Sequence, residues 1–198
     1  MYPKTLSDLI ESFKLLPGIG EKTAERLSFS LLNFDKDKLT EFADSIIGIR
    51  DNIKNCMICN NITDKDICYI CENENRKNGT IFVVENAKDV ILFEKLGIYK
   101  GEYHVLGGLI SPLDGINPED ISVDNLIERI KNGKYTEIIV ALKPSVEGET
   151  TVQYIKKMLE GYDIKVSKIA SGVPIGAEIE YIDPMTLEMA LEERKYLS

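Results

Sequence analysis

The stretch Thr80–Ile98, TIFVVENAKDVILFEKLGI, decides the fold class. TIFVVE is a short apolar run typical of a buried strand, and KDVILFEKLGI has the spacing of a helix. The same alternation continues through YHVLGG, VDNLIERIKNG, TEIIVAL, TTVQYIKKMLEGY and IKVSKIA. Strands that alternate with helices of about ten or more residues predict an α/β domain with a parallel sheet covered by helices.

The residues before Thr80 follow a different, helical pattern. Apolar side chains recur at helical spacing in TLSDLIESFKLL, and further helices are expected from Glu21 to Leu32 and within KDKLTEFADSIIGIRDNIKN. Pro17, Gly18 and Gly20 separate the first two helices by a tight turn. A helical hairpin region is therefore expected in front of the sheet domain.

The turn between the first two helices carries a candidate phosphate site. Gly18 and Gly20 allow close backbone approach, and the second helix would present its free N–H groups and the positive end of its dipole above the turn. Lys22 and Arg26 lie four residues apart on one face and could neutralise neighbouring phosphates without reading base sequence. The short motif alone leaves open a plain αα corner with solvated cations.

Composition places the chain among ordinary globular proteins, with 43% hydrophobic and 8% aromatic residues in a length of 198. The first residues contain no apolar stretch typical of a secretory signal, and the apolar runs are too short to cross a bilayer. We therefore expect a cytoplasmic protein without membrane contact. The net charge of −9 excludes binding of a polyanion through the overall field, so any nucleic-acid contact must be local, repeated by oligomerisation or assisted by a partner.

Four cysteines, Cys56, Cys59, Cys68 and Cys71, form a C-x2-C-x8-C-x2-C pattern. Each pair can form a knuckle whose thiolates converge, and two knuckles complete a tetrahedral shell for Zn²⁺. Disulfides are the competing use but are rare in cytoplasmic proteins, and neither C-x-x-C opens a helix of a βαβ unit as a redox motif does. One structural zinc ion per chain is expected, because four thiolates leave no position for a catalytic water.

Acidic residues follow two of the expected strands. Glu85 closes the first strand, and Glu147 and Glu149 lie in the loop after the third. The carboxyl ends of parallel strands converge on a ligand crevice, where such carboxylates could bind Mg²⁺. Without further context, loop solubility and helix capping are the simpler explanation. His104, the single histidine, is expected as a packed or surface side chain, and no catalytic residue is assigned.

These features, in this order, resemble the RecR family of bacterial recombination mediators over essentially the whole chain. LPGIGEKTAERL resembles its helix-hairpin-helix, and CMICNNITDKDICYICENENR resembles its four-cysteine zinc motif. VVENAKDVILFE, YHVLGGLISPLDGINPEDI and VEGETT resemble its Toprim domain, and GVPIGAEIEYIDPMTL its carboxyl-terminal segment, often called Walker B-like. The resemblance implies four regions: a helix-hairpin-helix DNA-binding region at 1–55, the zinc motif at 56–78, the Toprim domain at 79–171 and a packing and oligomerisation segment at 172–198.

The resemblance also implies a function. RecR-like proteins act in gap repair with RecO and often RecF, they help RecA to displace single-strand-binding protein from DNA, and they form ring-like oligomers, commonly tetramers. It implies DNA contact by Lys22 and Arg26, four copies of which would line one hole. Glu85, Glu147 and Glu149 match the Toprim acidic positions, which in this family serve partner contacts more than chemistry, so Mg²⁺ gains little support as a cofactor. A nucleoid-associated protein without enzymatic activity is expected.

Three residues depart from the family's pattern. Lys143 stands where the family usually has Asn before the proline, and its ammonium would compete with or neutralise a metal site. Ser171 and Ala177 stand where His and Gly are common. These two changes agree less with a nucleotide or metal role for the tail than with packing between subunits.

Two other functions stay open on the sequence. A Mg²⁺-dependent Toprim nuclease or primase-like enzyme would use the three glutamates, but no general base is evident, and topoisomerase chemistry would need a dedicated tyrosine domain. A zinc-stabilised interaction module without DNA affinity would leave Lys22 and Arg26 without a role.

Overall fold

Residues 2–170 and 172–194 are described by the computed structural model, and they divide into two compact units between Ile53 and Lys54. The first unit contains three helices: α1 (Lys4–Lys14), α2 (Glu21–Leu31) and α3 (Lys36–Asn52). All three follow the helical spacing of the sequence, and α2 begins directly after the glycine turn.

Helices α1 and α2 form a hairpin around a small core. Ile10 of α1 and Ala24 and Ser28 of α2 are buried, and the small side chains on α2 let the two helices approach closely. Gly18 has a φ of +80° in the turn, a conformation that residues with a Cβ rarely adopt. The turn therefore depends on glycine at this position.

Helix α3 is amphipathic, yet none of its described side chains is buried. Asp35 caps its amino end by accepting a hydrogen bond from the Lys38 N–H at 2.8 Å. Apolar side chains remain exposed along it: Leu39, Phe42, Ile46, Ile47 and Ile49. Contiguous exposed apolar surface of this kind is typical of a protein interface.

The second unit begins with the cysteine segment. A two-stranded antiparallel ladder of β1 (Lys54–Asn55) and β2 (Ile62–Thr63) is followed by the short helix α4 (Tyr69–Glu72). These elements are too short to enclose a core of their own, and the four buried thiols form the centre of the segment.

A four-stranded, fully parallel sheet forms the body of the second unit. Its strands are β3 (Thr80–Val84), β4 (Glu102–Val105), β5 (Glu137–Ala141) and β6 (Lys165–Lys168), in the order β4-β3-β5-β6. The crossovers contain α5 (Ala87–Leu96), α6 (Val123–Asn132) and α7 (Val146–Met158). From β3 the chain continues to β4 on one side of β3, and the next strand, β5, pairs on the other side of β3. A topological switch point therefore lies between the carboxyl ends of β3 and β5.

Helix α7 begins earlier than the sequence predicts. The spacing placed Glu147 and Glu149 in a loop, whereas both lie in the first turn of α7. Ser145 caps the helix by accepting a hydrogen bond from the Gly148 N–H at 3.2 Å. Gly148 is needed because a Cβ there would lie 2.1 Å from the carbonyl oxygen of Lys143. The chain after β5 therefore turns directly into the helix.

Both faces of the sheet are covered. Side chains of α6 and α7 cover one face, where Leu126, Ile127 and Ile155 share a core with aliphatic residues of the strands: Ile81, Val83, Ile138 and Val140. The cysteines lie on the opposite face in a second core with Phe82, Val84, Val90, Tyr103 and Val105. The cysteine segment is therefore part of the packing of the sheet rather than an appendage to it.

The carboxyl-terminal segment ends in helix α8 (Pro184–Glu192), which Asp183 caps by accepting a hydrogen bond from the Thr186 N–H at 2.9 Å. Residues 172–181, Ala177 among them, are exposed throughout. Ser171 and the end of the expected tail helix lie outside the described residues. Within those residues, no helix combines the length and the apolar composition needed to cross a membrane. The expected fold class, a helical hairpin, a four-cysteine motif, a parallel-sheet domain and a carboxyl-terminal segment, is confirmed.

Candidate functional site

The hairpin of the first unit presents an open helix end. Gly20 is the amino-terminal cap of α2 and contributes no side-chain hydrogen bond, and its carbonyl accepts from the N–H groups of Thr23 and Ala24 at 3.0 Å. No hydrogen bond among the described residues engages the N–H groups of positions 21 and 22. Lys22 and Arg26 are exposed and form no ion pair with any described residue. Both side chains therefore carry a positive charge that no described carboxylate neutralises, and they lie on the helix whose first N–H groups are free. This arrangement attracts phosphate.

The carboxylates of the hairpin are engaged elsewhere. Lys14 contacts Glu11 at 2.8 Å and Glu21 at 2.7 Å, and these carboxylates raise the pKa of Lys14. Glu25 accepts a hydrogen bond from the Tyr2 hydroxyl at 3.1 Å. Because Lys14 balances the negative charge of Glu21 in the first turn of α2, that carboxylate opposes an incoming phosphate less than it otherwise would.

The four cysteine sulfurs converge in the second unit. All four side chains are buried, and their Sγ atoms lie within 4.8 Å of one another. All four are free thiols, with the Sγ atoms of Cys59 and Cys68 separated by 3.5 Å. Separations of this size suit the edges of a tetrahedron around a metal ion with bonds of about 2.3 Å. The cluster is therefore able to hold one metal ion.

Thiols this close together cannot all ionise without a cation. Contacts with Cys59 and Cys71 lower the pKa of the Cys68 thiol, and the contact with Cys59 raises the pKa of the Cys71 thiol. The Cys68 N–H donates a hydrogen bond to Cys56 Sγ at 3.3 Å, which joins the two cysteine pairs. Four thiolate donors select thiophilic ions such as Zn²⁺ over Mg²⁺ or Ca²⁺.

Two hydrogen bonds join the first cysteine knuckle to strand β4. The Val105 N–H donates to the Cys59 carbonyl at 2.8 Å, and Asn60 Nδ2 donates to the Val105 carbonyl at 2.9 Å. Asn60 has a φ of 59°, a left-handed conformation that asparagine tolerates better than most residues. Strand β4 is an edge strand, so the knuckle covers an edge that no other strand of the described residues pairs with.

The switch point of the sheet contains charges of both signs. Glu85 follows β3 and Lys143 follows β5, and both line one cavity at the carboxyl ends of these strands. Lys143 also lines a neighbouring cavity of about 190 Å³, together with Glu149 and Lys168. The sequence predicted the carboxylates and Lys143 at this edge, and the structure adds Lys168 to them.

Glu147 and Glu149 have different surroundings although they are two residues apart. Glu149 forms an ion pair with Lys168 at 3.0 Å, and Lys168 also contacts Glu193 at 3.1 Å. Both carboxylates raise the pKa of Lys168. A hydrogen bond with Ser145 lowers the pKa of Glu147. The two glutamates therefore have different partners, Lys168 for Glu149 and Ser145 for Glu147.

The three glutamates do not form one metal site. Among residues 2–170 and 172–194, the cysteines are the one set of three or more His, Cys, Asp or Glu residues with ligand atoms within 4.8 Å of one another. Mg²⁺ requires several oxygens in near-octahedral geometry. Glu85 and Glu149 line separate cavities, and Lys143 lines both. The three glutamates therefore do not provide one preformed site for a divalent ion.

Two buried polar residues, Thr151 and His104, hold the segment of residues 107–122. His104 was expected as a packed or surface side chain and is packed, whereas sequence reasoning missed Thr151. Thr151 Oγ1 accepts a hydrogen bond from the Ile110 N–H at 2.9 Å and donates to the Glu147 carbonyl at 2.7 Å. His104 is fully buried on β4, and its Nε2 bonds the Ser122 carbonyl at 2.7 Å. No local pattern reveals Thr151, because its partner Ile110 is 41 positions away.

Three regions of the chain match known protein families. They are residues 6–49 (RecR, helix-hairpin-helix), residues 79–170 (Toprim domain) and residues 172–195 (RecR, C-terminal). Recombination protein RecR of Staphylococcus aureus, in strains Newman, COL and MW2, is 47% identical over 193 residues, which cover 98% of this chain and 98% of each relative. On this identity over nearly the full length, together with the hairpin, the cysteine cluster and the parallel sheet, the chain belongs to the RecR family of recombination proteins.

Proposed function

We propose that this chain is a DNA-binding recombination mediator that forms a ring-shaped clamp in gap repair. It acts with RecO, and with RecF as a second candidate partner, to help load RecA onto DNA covered by single-strand-binding protein. Membership of the RecR family supports the recombination role. The DNA contact depends on one observation above all, the exposed and unpaired cations Lys22 and Arg26 beside the open end of α2.

The contact is with the sugar–phosphate backbone. The free N–H groups at the start of α2 donate hydrogen bonds to one phosphate, and Lys22 and Arg26, one helical turn apart, neutralise the neighbouring phosphates. None of these groups contacts a base edge, so the chain binds both single-stranded and gapped DNA. This mode agrees with a clamp that must act at gaps of any sequence.

A ring of several copies, most simply a homotetramer, explains how an acidic chain holds DNA. At a net charge of −9, one copy repels a polyanion at long range, whereas several hairpins around one hole multiply the local positive charge. The exposed apolar side of α3 supports self-association of the first unit. Exposed Ile175, Ile179 and Tyr181 in the tail support a second interface.

The remaining sites have structural and partner roles in this proposal. Cys56, Cys59, Cys68 and Cys71 hold one structural Zn²⁺ per chain. Glu85, Glu147 and Glu149 contact partner proteins, and the chain is not an enzyme. It acts in the bacterial cytoplasm at the nucleoid, with the four regions 1–55, 56–78, 79–171 and 172–198 as its functional divisions.

Fluorescence anisotropy with labelled single-stranded and gapped DNA, measured at several salt concentrations, tests the DNA contact. Each lost phosphate contact lowers the slope of log affinity against log salt by about 0.7 to 0.9. The Lys22→Ala/Arg26→Ala variant should therefore lose about 1.4 to 1.8 of that slope for each chain on the DNA, with a loss of affinity on every sequence. The matched control is Lys88→Ala/Lys95→Ala on α5, which removes the same charge from two exposed positions.

Light scattering on the same samples separates DNA contact from assembly. We expect both variants to keep the oligomeric state of the wild type. A Lys22→Ala/Arg26→Ala protein that binds DNA with unchanged slope would contradict the contact, and a monomer that binds as tightly as the assembly would contradict the ring. The mediator role is measured as RecA filament formation on DNA covered by single-strand-binding protein, with and without RecO, where the variant should be inactive.

A further inference from the structure

We propose that the outer face of helix α5 docks a short acidic segment of a partner protein, a segment that carries apolar side chains at helical spacing. The outer face consists of Lys88, Ile91, Leu92, Lys95 and Leu96. It contains none of the residues assigned above to DNA, to zinc or to partner contacts. The proposal therefore goes beyond the proposed function and does not depend on the DNA contact.

The packing of the inner side of α5 determines which residues face outward. Val90 is buried in the core that also contains the cysteines, and the rings of Phe93 and Phe82 have centroids 4.6 Å apart. At about 100° per residue, Lys88 and Leu92 lie within about 20° of the direction opposite Val90. The outer face is therefore turned away from the sheet.

The apolar side chains of the outer face are exposed. Leu92 is 53% exposed, Leu96 is 58% exposed and Ile91 is 42% exposed. Leu92 and Leu96 are one helical turn apart, and both are neighbours of Ile91 on the helix surface. Neighbouring apolar side chains that stay in contact with water are typical of a protein interface.

Both charged side chains of the outer face are cations. Lys88 and Lys95 are exposed, and neither forms an ion pair with a described residue. They are about two helical turns apart, on either side of Leu92 along the helix. A ligand that is complementary to this face therefore has an apolar centre and carboxylates at both ends.

The two carboxylates of α5 do not neutralise these lysines, because both are engaged elsewhere. Glu94 accepts hydrogen bonds from Arg76 Nη2 at 2.7 Å and from the Tyr103 hydroxyl at 2.9 Å. Asp89 accepts a hydrogen bond from the Asn86 N–H at 3.0 Å at the start of the helix. The outer face therefore keeps its positive charge in a chain with an excess of Asp and Glu.

The remaining charges favour a short protein segment over an extended polyanion. The net charge of −9 repels a membrane or a nucleic acid at long range. Asp89 lies in the first turn of α5 and opposes a phosphate at that helix end. The ten residues of α5 are about 15 Å long, a length that matches two to three turns of a ligand helix. Such a helix can pack its apolar side against Leu92 and Leu96.

Fluorescence anisotropy with a labelled synthetic peptide and the zinc-loaded full-length chain tests the proposal. The probe is an amphipathic helical peptide with leucines on one side and glutamates on the other. One control peptide has lysines in place of the glutamates, and a second has the composition of the probe in a shuffled order. We expect the probe to bind and both control peptides to bind at least about tenfold more weakly.

Two variants of the outer face separate its apolar and charged contributions. Leu92→Ser/Leu96→Ser should lower the affinity for the probe about 30-fold, because two exposed leucines lose their apolar contact. Lys88→Glu/Lys95→Glu should lower it about tenfold, and this difference should shrink as salt screens the charges. The matched control is Lys156→Glu/Lys157→Glu on α7, which reverses the same charge at two exposed positions and should bind as the wild type does.

Probe binding no tighter than that of the control peptides would overturn the proposal. Probe binding that both variants of the outer face leave unchanged, while circular dichroism shows them folded, would overturn it as well. Light scattering should show the wild-type oligomeric state for Leu92→Ser/Leu96→Ser. A loss of assembly in this variant would make the outer face an interface between copies and refute a separate partner.

Two other anionic ligands are tested in parallel. Binding of the wild type to phosphatidylglycerol vesicles that Lys88→Glu/Lys95→Glu abolishes would assign the outer face to a membrane and refute the proposal. A reduced salt slope of DNA binding in Lys88→Ala/Lys95→Ala would assign the lysines to DNA and refute it too. The peptide titrations contain no DNA, so the proposed function stands or falls separately.

Discussion

Removal of the metal from the cysteine cluster should loosen strand β4 as well as the cysteine segment. The perturbation is chelation of the full-length chain, with Cys56→Ser as its genetic equivalent. Without a cation, four buried thiols within 4.8 Å lose the interaction that holds them together, and the short elements β1, β2 and α4 have little core of their own. The knuckle of Cys59 and Asn60 should then leave the sheet edge.

The size of the effect follows from the contacts at Val105. Two hydrogen bonds join this residue to the knuckle, at 2.8 and 2.9 Å. A hydrogen bond contributes about 0.5–1.5 kcal/mol net, so their loss removes about 1–3 kcal/mol of local stability. Since about 1.4 kcal/mol corresponds to tenfold, the amide of Val105 should exchange about 5- to 150-fold faster. The loss of the metal itself should lower the midpoint of thermal unfolding further, because the cysteines share a core with Phe82 and Tyr103.

Hydrogen–deuterium exchange on zinc-loaded and chelated protein measures this change. We expect faster exchange across residues 54–72 and in β4. Strand β6, on the other edge of the sheet, provides the internal control and should change least. The reasoning would be refuted by a protein that has lost its zinc, as shown by elemental analysis, but keeps the exchange rates of β4 and its thermal midpoint.

Two further predictions concern buried charge. Burial lowers the pKa of His104 to about 4, whereas a histidine in the unfolded chain has a pKa near 6.5. As the pH falls, the unfolded chain therefore binds a proton first, and the free energy of unfolding should fall by about 3 kcal/mol between pH 6.5 and 4. Urea titrations should show this pH dependence in the wild type and not in His104→Gln. Glu102 and Arg129 form an ion pair with side chains that are 5% and 8% exposed. Arg129→Met should therefore lower the free energy of unfolding by about 3–5 kcal/mol, because it leaves the Glu102 carboxylate buried without a partner. The double variant with Glu102→Met should regain part of that stability. Equal stabilities of the single and double variants in thermal denaturation would contradict a buried pair.

Features that depend on neighbouring residues could be predicted from the sequence. The alternation of strands and helices follows from local spacing, and the turn at Gly18 and Gly20 follows from residues that interrupt a helix. The spacing of the cysteines predicts two knuckles because the two cysteines of each pair are only three positions apart in the sequence. The docking of Cys59 against Val105 depends instead on tertiary packing, since these residues are distant in sequence and no local signal joins them.

The acidic positions show why part of the site could not be predicted. The apolar spacing of the helix after β5 becomes clear only at Thr150, so Glu147 and Glu149 were placed in a loop. Ser145 and Gly148 extend the helix over them, one through a cap and the other through close backbone contact. The pairing of Glu149 with Lys168 joins a helix to a strand 19 residues later, and its existence depends on the strand order of the sheet.

Pairing decides which cations of an acidic chain are available to a polyanion. Lys14 and Lys168 are each held by two carboxylates, whereas Lys22 and Arg26 have none among the described residues. Salt screens exposed charges over a Debye length of about 10 Å at 0.1 M. Buried pairs are screened much less, because the ions of the solution do not reach them. A salt titration of DNA binding should therefore report the hairpin cations, while the stability of the sheet unit, which contains the buried Arg129 pair, should change little over the same range.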